Sequence, residues 1–164
     1  MGNQVDSYHL EKSIWTESDY EQMGWHDSRI YGLSFQNNSD GWTGDLILDI
    51  DYIFQWLHPV TPDKYFKFWV APCTLVFKEV FDLQIDINTA SRALELEIAD
   101  LHLVNQQEHD KKIYFEWHIE LQQGNINLKS YGLEQVVRQK PVYSSSQTIP
   151  MGQRGGVSFS REPC

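Results

Sequence analysis

Cysteine is scarce in this chain. Two residues in 164, Cys73 and Cys164, cannot build the bridge framework of a small secreted scaffold. Cys73 sits in an apolar, strand-like stretch and Cys164 ends a loose tail, so the expectation is two reduced thiols and a cytoplasmic location. Long apolar runs are absent too: none approaches the roughly 18 residues that span a bilayer. The stretch from Met1 to His9 lacks the basic start and apolar middle of a signal peptide. Gly2 does not make a myristoylation site, because Asp6 stands where Ser or Thr is required, and no prenylation box follows Cys164.

Catalytic signatures are missing as well. There is no HExxH or CxxC spacing for a metal and no GxSxG elbow for a nucleophile. Gly152 to Gly156 is glycine-rich but lacks the lysine and the following helix of a phosphate loop. No cofactor is expected.

Positive charge is the third shortage. Thirteen Lys and Arg face 23 Asp and Glu, for a net charge of −10. The imbalance lies in residues 1–130, where 9 basic residues meet 21 acidic ones; residues 131–164 carry 4 and 2. An acidic body repels nucleic acid and anionic membrane, which argues against both as direct partners and is compatible with a basic protein. The competing reading is that an acidic surface simply keeps the chain soluble.

What the chain does have is period-two patterning. From Asp45 to Trp56 the even positions Leu46, Leu48, Ile50, Tyr52, Phe54 and Trp56 are apolar, while Asp45, Asp49, Asp51 and Gln55 punctuate the odd ones. This predicts a strand in the middle of an antiparallel sheet, with one buried face and one mostly wet face. Phe81 to Ile87 and Ile113 to Leu121 repeat the pattern, and Ile126 to Leu133 follows a turn at Gln123, Gly124 and Asn125. Trp25 to Phe35 reads as a first strand, closed into a hairpin by the turn formers Asn37 to Gly41. Phe66, Phe68 and Val70 give way to Cys73, Leu75 and Phe77 across Pro72, which suggests a bulge or bend there. Leu94 to Leu103 fits a bulged strand or a helical face, with the strand preferred, and Asn105 to Lys111 reads as a polar loop. Thr16 and Ser18 with Glu17, Asp19 and Glu21 predict a short helix ended by Gly24.

The expected fold is therefore all-β, a mainly antiparallel sandwich or partly open barrel with a short N-terminal helix. Residues 1–142 form a single β-rich domain. Residues 143–164 form a Ser/Pro/Gly-rich tail, in which Val157 and Phe159 could add an edge strand. Unpaired edge strands leave room for a homodimer.

Asp49 and Asp51 share a strand face about 6.6 Å apart, a spacing open to acid–base chemistry or a divalent ion. The bland alternative is a solvated sheet face, or partners for Lys and Arg on neighbouring strands. His26 and His118 could join the two acids as metal ligands if the strands converged. His118 stands between Glu116 and Glu120 on the wet face of its strand, as an exposed histidine would. Six Trp and eight Tyr could fill a large core or leave some rings at the surface for binding.

The segments Trp25 to Tyr31, Leu48 to Ile53 and Arg138 to Val142 resemble recurring features of small, uncharacterised bacterial β-rich proteins, some of them immunity proteins of toxin systems. The resemblance covers much of residues 14–142. It implies a bacterial binding domain and brings no catalytic residues. The function expected is non-catalytic binding of a basic protein, with contact through Asp49, Asp51, His58, Glu116 and His118 on acidic strand faces or the 58–64 loop. The alternative is a small-ligand-binding or metal-dependent enzyme using Asp49 and Asp51 with His26 and His118.

Overall fold

The computed structural model describes residues 7–164. Ten strands lie in one antiparallel sheet: β1 (Ile14–Thr16), β2 (Ser28–Asn37), β3 (Gly44–Leu57), β4 (Lys67–Lys78), β5 (Phe81–Ile87), β6 (Leu96–His109), β7 (Lys112–Leu121), β8 (Gly124–Ser130), β9 (Gly132–Val137) and β10 (Val142–Ser144). The order across the sheet is β1-β9-β4-β3-β2-β6-β7-β8-β5, with β10 also on β4. The sheet is open: among the described residues β1 and β5 do not pair with each other.

The sheet folds over on itself where β2 and β6 share only three residue pairs, Ser28 to Ile30 with Leu96 to Ile98. The even positions of β3 and the odd positions of β4 then pack in one core with Ile98, Leu101, Trp117, Ile119, Ile126 and Leu128 from the second half. Trp25 and Trp117 are fully buried there, and each indole N–H finds an acceptor, Gln135 at 2.8 Å and Ser130 at 3.0 Å.

The expected wet face of β3 is not wet. Asp45, Ile47, Asp49, Asp51 and Ile53 are all buried, because the C-terminal residues cross that face. Ile149 packs with Ile53, Phe68 and Val70 in a second, smaller core. The segment runs antiparallel to β3: the Ile149 amide donates to Asp51, the Ser158 amide to Asp49, and Arg161 to Asp45. Its end is tied to β9, where the Cys164 amide donates to the Val137 carbonyl. Residues 149–164 are thus fastened mostly by hydrogen bonds to side chains of β3, and Val157 and Phe159 form no strand.

Three local readings change for physical reasons. Pro72 neither bends nor bulges β4, whose pairing with β3 runs through it. Its carbonyl accepts from the Arg138 amide, so its missing N–H faces the gap between the β9 and β10 pairings and no ladder bond is lost. The apparent slip in apolar phase arises because both faces of β4 are buried, Phe68, Val70 and Val76 on one side and Cys73, Leu75 and Phe77 on the other. The register break falls instead in β3, between Ile53 and Gln55. It moves Trp56 off the even face and onto Phe68 (rings 5.0 Å apart).

The polar stretch from Asn105 is the outer end of β6, paired with β7 as far as His109 and Lys112. Asp110 and Lys111 turn the chain with φ of 50° and 64°, the geometry of a type I′ turn. Both faces of this arm meet water, so it needs no apolar alternation. Lastly, no α-helix forms near the N-terminus. Glu17–Gln22 winds as a 3-10 helix under a capping box from Thr16 and Asp19. The one α-helix among the described residues is α1, Met151–Arg154, closed by Gly155 at φ 79°.

Candidate functional site

The second half of the sheet, β6-β7-β8-β5, leaves one broad polar face in water. Along β7 the large apolar residues Trp117, Ile119 and Leu121 turn to the core, so Glu116, His118 and Glu120 turn out. Antiparallel register sets the rest beside them: His102 opposite His118, Asp100 opposite Glu120, and Lys129 opposite Glu116. Asn125 and Asn127 of β8 continue the rows to Asp86 and Gln84 of β5. Asp82 sits in a register break of β5 with φ of 51° and points its carboxylate at Lys129 (3.0 Å).

Five carboxylates, those of Asp82, Asp86, Asp100, Glu116 and Glu120, therefore share this face with Lys129 and, at its far end, with Lys112, which faces Glu79 at 3.6 Å. The hydrogen bond from Lys129 to Asp82 raises the lysine above its ordinary pKa. The His102 and His118 rings stack at 5.4 Å. Nε2 of His102 lies 2.9 Å from Glu120, and Nε2 of His118 lies 2.7 Å from the Asn125 side-chain oxygen. A shallow depression of about 370 Å³ lies between Asp82, Gln84, Glu116, Asn127 and Lys129. This face can attract and orient cations, and its depression is open to solvent.

Of the residues expected to make contact, Glu116 and His118 lie on this face. His58 is exposed in the loop between β3 and β4, its ring 4.9 Å from Phe66. Asp49 and Asp51 are the correction: both are fully buried and committed to arginine. Arg154, itself fully buried, grips Asp49 with two nitrogens (2.7 and 2.9 Å) and Asp51 with Nε (3.1 Å). Arg138 adds a 2.8 Å bond to Asp49, and Tyr31 donates to Asp51 at 2.7 Å. Burial would lower the Arg154 guanidinium, but the bond to Asp49 and the charges of Asp51 and Asp49 outweigh it and hold its pKa above the ordinary value. Burial, then the bond to Asp51, pushes the Tyr31 phenol up. Neither aspartate is open to solvent in this fold.

The four residues of the metal alternative do not come together. His26 is exposed beside the β2–β6 junction, His118 is on the outer face of β7, and the two aspartates are beneath the C-terminal segment. Among the described residues no three His, Cys, Asp or Glu stand where one metal ion could be held.

Two other polar places are built by the fold. Beside the β2–β6 junction, His26 stacks on Trp56 and places Nδ1 2.9 Å from the Ala99 carbonyl. Burial, a hydrogen bond to Asp27 and the charge of Asp27 push the Glu97 carboxyl up to about 7. An open cleft of about 360 Å³ lies between Arg29, Tyr31 and residues 144–151. Its cation, Arg29, already faces Glu95 at 3.7 Å.

Sequence reasoning missed Arg154, Arg138 and Tyr31 as the partners of the two aspartates. It marked the polar positions of β5 and β7 but could not join them into one face, since strand order is not written in alternation. Most tryptophans belong to the core, as the large-core reading holds; Trp42, 93% exposed at the β2–β3 turn, does not. No protein-family model matches the chain, and neither a curated protein nor a solved structure matches it. The resemblance to bacterial immunity proteins has no match behind it.

Proposed function

We propose that this protein is a non-catalytic binding protein whose partner is a basic protein, and that contact is made on the outer face of β6-β7-β8-β5. The observation that carries the reading is the charge of that face: exposed Asp82, Asp86 and Glu120 with half-buried Asp100 and Glu116, set in rows by strand pairing around Lys129. A sheet holds side chains in fixed rows, so a complementary surface meets a preset pattern and loses little freedom on binding. Carboxylates in water carry little affinity singly, but a concentrated field speeds encounter with an opposite charge and selects against acidic proteins.

The test is a pull-down from the source cell at low and moderate salt, read by mass spectrometry. Wild type is compared with a variant carrying Asp86→Asn, Glu116→Gln and Glu120→Gln. These positions are at the surface, so the variant is expected to keep its stability within about 0.5 kcal/mol. A basic protein retained by wild type, lost by the variant and released by moderate salt is the expected result. A partner held equally by both proteins and indifferent to salt would move the binding site elsewhere and sink the reading.

A further inference from the structure

The binding reading says what the partner's charge is; the edge of β5 says how such a partner would be held. We infer that β5 takes up an extended, basic segment of the partner as an added strand. The inference rests on the proposed binding function and deepens it.

β5 is the last strand of the sheet. One side pairs with β8; among the described residues no strand pairs with the other. Such an edge presents a row of free N–H and C=O groups that will accept a further strand. Gln84, Ile85 and Asp86 are exposed in succession, so this backbone is open to solvent. Ile85 is left 40% exposed.

The two sides of this edge differ in chemistry. Outward stand Asp82, Gln84 and Asp86, with Glu116 two strands away. Inward stands Ile85, and beside Leu83 opens a groove of about 160 Å³ whose apolar lining is Phe35, Leu46, Val80 and Leu83. Phe35 is 63% exposed at its rim. Side chains of an added strand alternate between these two sides. The segment that fits therefore alternates Lys or Arg with Val, Ile or Leu, basic toward the acids and apolar toward Ile85 and the groove.

Acids on an edge strand also discourage unwanted pairing between copies. That role explains Asp82 and Asp86, but it does not explain the largely apolar groove that opens at the start of the strand, between Leu83 and Phe35. A second copy of this chain is the poorer occupant. Antiparallel pairing of two β5 strands about Gln84 would set Asp82 against Asp86 twice, and like charges opposite one another are destabilising.

The experiment uses unaltered full-length protein and fluorescein-labelled, end-blocked nine-residue peptides, read by anisotropy at low salt. The parent probe alternates Lys and Val. A second has the same composition in two blocks. Two more are N-methylated, one on every Val and one on every Lys. In a strand the N–H groups of alternate residues point to opposite edges, so only one methylated probe loses its bonds to β5. Strand addition predicts that the parent binds, and that the block peptide and one methylated probe bind about tenfold or more weaker. It also predicts that the other methylated probe binds like the parent. If all four bind alike, strand addition is wrong while the charge-based reading stands. If none binds, both fall. Sedimentation velocity adds the remaining outcome: a dimer that the parent probe splits would make β5 a self-pairing edge and overturn the inference.

Discussion

Removing the Arg154 guanidinium tests whether the C-terminal segment is part of the fold's stability. In an Arg154→Met variant the apolar stem is kept and the charge is lost. Asp49 then loses two of its bonds, at 2.7 and 2.9 Å, and Asp51 loses one at 3.1 Å. Both aspartates remain at full burial unless the segment lifts. Breaking a buried pair by removing one partner costs about 3–5 kcal/mol, because a charge is left without compensation. Here Asp49 keeps Arg138 and the Ser158 amide, and Asp51 keeps Tyr31 and the Ile149 amide, so the expected loss is at the lower end, about 3 kcal/mol. The guanidinium also stacks on Tyr31 at 3.8 Å, and that contact goes with it. Urea unfolding followed by tryptophan fluorescence reads the change directly. A quadruple variant, Asp49→Asn, Asp51→Asn, Arg138→Met and Arg154→Met, removes every charge of the cluster and separates charge from packing. Neutral groups of similar shape are expected to recover most of the loss and stand within about 1–2 kcal/mol of wild type. A single variant that loses less than about 1 kcal/mol would refute the reasoning, since these charges could not then be as desolvated as their burial implies.

Gly124→Ala places a Cβ 2.0 Å from the Asp86 carbonyl oxygen at a residue with φ of 149°, so the β8–β5 pairing must open. A loss of about 2 kcal/mol or more is expected in urea unfolding, with faster amide exchange in β5 than elsewhere. Glu97 predicts a pH dependence. Its folded-state pKa, about 7, is above its unfolded value, so the folded chain binds more protons between the two. The stability it contributes is full below about 4.5 and is lost as pH rises through about 7. Glu97→Gln should flatten that decline in unfolding curves taken from pH 5 to 8; a slope left unchanged would mean the carboxyl titrates normally.

Much of the architecture was legible because its causes are local. The period-two runs of β3, β5 and β7 place apolar residues on one side whatever the strand's neighbours are. The Gln123 to Asn125 turn needs a residue that tolerates the backbone found at Gly124, and glycine is there. Thr16 as a cap with acids in the first turn is also readable, yet what it caps is 3-10 rather than α: the segment is only six residues long, and the Tyr20 hydroxyl fixes it to β6 by donating to the Leu101 carbonyl and accepting from the Leu103 amide. The stretch from Asn105 to Lys111 reads as a loop because it lacks apolar alternation, yet it forms a hairpin arm as far as His109. Its strand conformation comes from pairing with β7, which a single segment cannot display.

The acids divide along the same line. Alternation told that Asp82, Asp86, Glu116 and Glu120 lie on the polar sides of their strands, and they do. It could not assemble them, because strand order depends on which edges meet after the chain has folded. For Asp49 and Asp51 it gave the wrong environment. Asp49 and Arg154 are 105 residues apart in the chain, and period two in β3 carries no record of what will cover it. Steric preference and apolar alternation already specify β3, β5 and β7, the turn at Gly124 and an acidic, β-rich class. Which acids are neutralised inside and which remain in water is settled by contacts between distant segments, because an ionised group must be paired when it is buried.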